Sequence, residues 1–282
     1  MTRIAVVTDS VACIPPELVK RYDIHVAPVQ IIWDRVTYRD GIDLSPEEFY
    51  ARLRTAKELP TTSSGIQGEF LTIFEDLRGK VDGIVTIVLT GTLGAAYNTA
   101  LNAAEMVSEV PVEVIDTKTV MMAQGFIVLE AAKVAASGGT MDEVARAARD
   151  MIPKVHMIWA MDTLEYLRKG GRVSLPQAIL ASWLNIKPVT LINKEGKVEP
   201  VARVRSRPKA QVKLLELMGE RVTGKGDLHV AVMHGDVPGE ADKLKKMVTG
   251  QFKCAELLTS EITPVIGTHT GPGTLGLAFY NE

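Results

Sequence analysis

The sequence predicts an α/β protein of two lobes, the first with a mainly parallel sheet flanked by helices and the second with a mixed sheet. Short apolar, β-branched runs alternate with longer amphipathic segments through the first half, as βαβ units require. At 282 residues the chain exceeds the length at which one hydrophobic core usually stops growing. From about Val155 the rhythm changes, which places the lobes at 1–155 and 156–282.

Strands are expected in the first lobe at Ile4–Thr8, His25–Trp33, Ile84–Leu89 and Val112–Ile115. Ser45-Pro46-Glu47-Glu48 starts a helix, because Ser45 can cap, Pro46 fits the first turn and the two acids oppose the dipole. Thr140-Met141-Asp142-Glu143 is a capping box that opens a helix towards Met151. The second lobe begins with a strand at His156–Met161, a short helix ending at Gly170-Gly171 and an apolar helix from Pro176 to Leu184. Lys187–Asn193 and Lys197–Arg203 flank Lys194-Glu195-Gly196, a hairpin turn with glycine at the left-handed position. A helix at Pro208–Leu217, a strand at Leu228–Met233, a helix at Glu240–Val248 and strands at Ala255–Leu258 and Leu275–Tyr280 complete the chain.

Composition narrows the function classes. Hydrophobic residues make up 46% and charged residues 23%, and the net charge of −2 is spread along the chain, which argues against a basic nucleic-acid surface. Cys13 and Cys254 lie far apart and outside any metal-ligand spacing, so a disulfide scaffold is not expected. The N-terminus runs straight into a strand pattern, and no segment approaches the roughly 18 continuous apolar residues that cross a bilayer. A cytoplasmic protein is expected, to which a lipid comes only as a ligand.

Several motifs fail on inspection. Gly271-Pro272-Gly273-Thr274-Leu275-Gly276 matches a dinucleotide fingerprint formally, but only six residues follow Gly276, too few for a βαβ unit. In Gly219–Gly226 a glycine replaces the hydroxyl residue of a P-loop, and the run follows a helix. No nucleophile elbow occurs, and the five histidines lack metal-binding spacing, so neither a metal nor a cofactor is expected. His156 and His229, inside apolar strand runs, read as structural.

The polar clusters that survive lie where strands end, which is where open α/β sheets bind ligands. Gly267–Gly276 combines glycines with Thr268, Thr270 and Thr274 around His269, a loop that can wrap an anion. Thr8-Asp9-Ser10, Thr61-Thr62-Ser63-Ser64 before a helix marked by Ser64 and Gln67, and Thr90-Gly91-Thr92 are candidates for the same site. Two basic patches, Arg168–Arg172 and Arg203–Arg207, suit a phosphate-bearing partner.

These residues carry a resemblance. Thr8-Asp9-Ser10, Pro60-Thr61-Thr62-Ser63, Thr163–Arg172, Ile186-Lys187-Pro188 and His269-Thr270-Gly271-Pro272-Gly273 together resemble the DegV family of bacterial fatty-acid-binding proteins over essentially the whole chain. The resemblance implies a two-domain α/β protein that holds one long-chain fatty acid, its tail in an apolar tunnel and its carboxylate at the interdomain cleft. It implies a carrier rather than an enzyme, presenting the acid to a separate fatty acid kinase that makes acyl phosphate. Carried over by residue, Thr62 and Ser63 bond the carboxylate, with His269 and Thr270 close by. Arg205 and, more weakly, Arg172 face the kinase. The sequence departs from the family at Gly94-Ala95-Ala96-Tyr97, where Gly94 replaces a serine. Losing that hydroxyl costs roughly 1.5–3 kcal/mol of binding unless Thr90, Thr92 or water substitutes. Two rivals remain: an enzyme with His269 as general base on an acyl or phosphorylated substrate, and a lipid-sensing module without a kinase.

Overall fold

The computed structural model describes residues 2–63, 66–173 and 186–282. Ser64 and the expected helix at 176–184 lie outside the described residues.

In the first lobe β1 (Ile4–Asp9), β2 (Ile24–Ala27), β6 (Gly83–Val88) and β7 (Val112–Asp116) form an all-parallel sheet in the order β2-β1-β6-β7. Its crossovers carry α1 (Pro16–Arg21), α2 (Pro46–Leu53), α3 (Gln67–Leu77) and α4 (Ala96–Glu105). The expected single strand at His25–Trp33 is two strands in two sheets. Pro28 has no N–H to donate, and the Val29 N–H turns away to the Ser10 hydroxyl at 3.1 Å. The chain then enters a separate antiparallel sheet, β4-β3-β5, built from β3 (Gln30–Trp33), β4 (Val36–Arg39) and β5 (Thr61–Ser63).

Between the lobes runs α5 (Met121–Ala136), and α6 (Met141–Met151) packs beside it on β6 and β7. The Ser45 and Thr140 capping boxes form as expected. The second lobe is a mixed sheet in the order β10-β9-β8-β13-β11-β12, from β8 (His156–Ala160), β9 (Lys187–Ile192), β10 (Val198–Val204), β11 (Leu228–His234), β12 (Glu256–Glu261) and β13 (Leu275–Asn281). Only the β11–β12 pair is parallel. Its helices are α7 (Glu165–Lys169), α8 (Arg207–Gly219), α9 (Pro238–Gln251) and α10 (Pro264–Thr270). Gly196 takes the expected left-handed turn with φ 78°. No helix among the described residues is long and apolar enough to cross a membrane.

Helix α5 explains how the sheets are joined. Every residue from Met121 to Leu129 is buried, as a helix apolar on all sides must be. It packs on β1 and β6 of the first sheet and on β8 and β13 of the second. One apolar cluster therefore runs through Val6, Val85, Phe126, Met157, Met233 and Ala278. The outer face of the second sheet buries a separate cluster under α8 and α9 around Leu214, Val232, Leu244 and Leu277.

Two buried carboxyls bolt these layers together. Asp9 Oδ1 accepts from Val11 N at 3.0 Å and Gln124 Nε2 at 3.2 Å, and Oδ2 accepts from Leu89 N at 2.8 Å. Asp40 Oδ1 accepts from Val265 N at 3.1 Å in the first turn of α10, while its Oδ2 is buried without a hydrogen-bond partner. Burial pushes Asp9 up to about 6 and Asp40 up to about 7. The folded state therefore keeps a proton at Asp40 that the unfolded chain releases near its ordinary value of 3.8. That contribution is complete below the unfolded value and disappears as pH rises through about 7. Wild-type stability measured by denaturant titration is expected to fall between pH 5 and 8. Asp40→Asn should remove roughly 2 kcal/mol of that fall; equal declines in both proteins would contradict the assignment.

Candidate ligand cleft between the sheets

The site is assembled from short pieces that each need a partner element. Strand β5 is held by pairing with β3, Thr62 opposite Ile31 and Ser63 opposite Gln30. Helix α10 starts with Pro264 in its first turn after the extended Thr263, and Asp40 reaches across from the end of β4 to hold the Val265 N–H. Gly271, which caps its C-terminus, has φ 75°, and a Cβ there would meet the Tyr166 ring at 2.4 Å. Glycine thus serves both the left-handed turn and the close approach.

Thr62 Oγ1 and His269 Nε2 are 2.9 Å apart, joining the first lobe to the second. Burial, with the Arg172 charge nearby, pushes the His269 imidazole down to about 3, so the ring is neutral across the physiological range. Its Nδ1 is buried without a hydrogen-bond partner. That edge of the ring faces Gly170, where a Cβ would lie 2.3 Å from Nδ1. Arg172 is half-buried; its Nη1 donates to Gly170 O at 2.5 Å and its Nε to Leu93 O at 3.3 Å. Burial lowers its pKa from the ordinary guanidinium value.

These groups close one end of an apolar cleft. The cleft has an empty volume of about 700 Å³, of which about 80 Å³ admits the centre of a water-sized sphere. Val29, Ile66, Leu89, Leu93, Met121, Trp159, Leu167 and Ile266 line it, together with Thr62, Ser63, Gly94, Arg172, His269 and Thr270. A second, polar cavity with an empty volume of about 940 Å³ lies beyond, bordered by Lys57, Lys169 and Tyr166. Thr62, Arg172 and His269 border both cavities and so form a partition between them.

The structure departs from the sequence reading in several places. Gly267–Thr270 is the end of a helix, not a loop, and the hydroxyls of Thr268, Thr270 and Thr274 donate to carbonyls of Pro264, Ile266 and Thr270 within the same segment. A helix C-terminus presents carbonyls, so this run cannot wrap an anion as a nest of donors would. Thr8-Asp9-Ser10 bolts strands instead of lining the cleft, because the Asp9 oxygens and the Thr8 hydroxyl are spent on the neighbouring strand and α5. Thr90 is buried 3.1 Å from Thr92, whose hydroxyl bonds Gly196 O at 2.5 Å, tying the β9–β10 hairpin to the first sheet. Arg172, expected to face a partner, stands in the cleft wall. Arg205 is exposed on the turn before α8, outside the cleft. His229 stacks on Tyr280 and bonds Glu256 and Glu282, outside the cleft. Sequence reasoning missed Leu93, Met121 and Trp159 as cleft residues, and the role of Gly170 against the His269 ring. Only Gly170, beside Arg172 in a Gly-Gly pair, carried a local signal.

The two sheets and the partitioned cleft define a two-lobed α/β protein with an apolar cavity closed by small polar groups. Residues 3–282 match the profile of the family described as "Uncharacterised protein, DegV family", and the chain belongs to the DegV family. It is 34% identical to a DegV domain-containing protein of Caldanaerobacter subterraneus over 99% of both chains, and 33% identical to Protein DegV of Bacillus subtilis over 98% of both. Among solved structures, a DegV family protein from Thermus thermophilus described as fatty acid binding superposes with a TM-score of 0.92 at 27% identity, covering 100% of both chains. DegV of Bacillus subtilis, described as a fatty acid binding protein, gives 0.91 at 31% identity over 100% of both.

Gly170→Ala tests the partition directly. The new Cβ cannot coexist with the His269 ring, so the ring is expected to leave Thr62. The ring 15N resonances of His269 should shift while those of His25 and His229 stay in place. An unchanged His269 signal would show that the backbone yields instead.

Proposed function

We propose that the protein binds a long-chain fatty acid, tail in the apolar cleft and carboxylate at the partition, and presents it to a partner fatty acid kinase for acyl phosphate formation. The observation that carries this reading is the juxtaposition of an apolar cleft with Thr62, Ser63, His269 and Arg172 at one end, opening onto a cavity bordered by Lys57 and Lys169. Solved relatives described as fatty acid binding supply the ligand class.

In this reading residues 1–155 and 156–282 are the two lobes and the protein works in the cytoplasm. The neutral His269 donates its Nε2–H to Thr62 Oγ1, which leaves the Thr62 hydroxyl to donate to the carboxylate, and Arg172 supplies the counter-charge. Each buried methylene contributes about 0.8 kcal/mol, offset by the ordering of chain and side chains. The free space in the cleft is small beside a long acyl chain, so lining side chains must yield as the tail enters. The protein performs no bond chemistry; Arg205, exposed and outside the cleft, faces the kinase. His269 as a general base is the weaker reading, because a group pushed down to about 3 holds too little affinity for a proton at neutral pH.

Mass spectrometry of denaturing extracts of the purified protein should find C14–C18 acids, and their reproducible absence would overturn the reading. Thr62→Val should weaken binding of palmitate about tenfold. Gly94→Ser should strengthen it, since a Cβ there meets only the flexible Leu89 side chain, nearest at 3.1 Å. Arg205→Ala should abolish capture of the kinase while leaving fatty acid binding intact.

A further inference from the structure

Met121 is in a backbone conformation that side chains avoid. It opens α5 with φ 56°, directly after the extended Val120 at φ −147°. Left-handed φ is costly for any residue with a Cβ, and glycine would occupy it freely. Such strain persists only where the surroundings over-determine it, and it gathers at ligand clamps. Here the surroundings are those of the cleft: Met121 lines it and is 1% exposed. Its side chain is unbranched, with a polarizable thioether that adapts to irregular space. The free space left beside it is small.

We propose that Met121 sets the bulk of the acyl chain that the cleft takes, its strained backbone holding a deformable side chain in the path of the tail. This rests on the fatty acid reading. Helix α5 is packed from both sheets, so its first residue cannot retreat; the side chain is the part that moves. Chain selection then follows from how much of the Met121 volume a given tail displaces.

Competitive binding of myristate and stearate to the purified full-length chain, stripped of lipid, measures it. Met121→Gly removes both the strain and four heavy atoms, room for about three methylenes, each worth about fourfold in affinity. The stearate-over-myristate affinity ratio should rise at least tenfold, while Met121→Leu, which conserves volume, should change it less than threefold. Should Met121→Gly fail to fold, Met121→Ala should move the ratio in the same direction by a smaller factor. A folded Met121→Gly or Met121→Ala with the wild-type ratio would overturn the inference alone. Failure of the wild-type protein to bind either acid would instead overturn the reading beneath it.

Discussion

The fold depends on the burial of the first half of α5, Met121–Leu129, between two sheets. A stretch that is buried all round cannot lie on a surface, and its circumference is satisfied only when both the parallel and the mixed sheet close on it. Closing them brings the carboxyl ends of β1 and β6 towards α10 of the second lobe. The cleft is the space left where α5 begins, so its walls come from both lobes and from the helix that joins them.

The polar end of the cleft is built by distant pieces. Thr62 comes from the small antiparallel sheet, Arg172 from the turn after α7, and His269 from the last turn of α10. Asp40 fixes the other end of α10 and Gly170 gives the imidazole its place. Burial keeps that imidazole neutral, so the only formal positive charge bordering the apolar cleft among the described residues belongs to Arg172. A site with one cation and several neutral donors suits a singly charged anion with an apolar body.

Much of the architecture was legible locally. Capping boxes at Ser45 and Thr140 read correctly because every participating group lies within one turn. The Gly196 hairpin did so because a left-handed φ names its residue. The His25–Trp33 segment misled because both halves have strand composition, and only the pairing partners, β1 for one and β4 with β5 for the other, separate them. Thr8-Asp9-Ser10 and Thr90 read as ligand groups because a hydroxyl or carboxylate at a strand end looks the same whether it meets a ligand or a neighbouring backbone N–H.

The sequence by itself determined the α/β class, the capped helices α2 and α6, the Gly196 hairpin and the presence of Thr62, Ser63 and His269 as polar groups near strand or helix ends, because periodicity, caps and turns are encoded by neighbours in the chain. The tertiary structure alone decided which of those groups share a cavity. It turned the glycine-rich run into a helix end, sent Arg172 into the wall and set Met121 against the free space. Those outcomes depend on burial and on contacts between residues more than a hundred positions apart, as between Thr62 and His269.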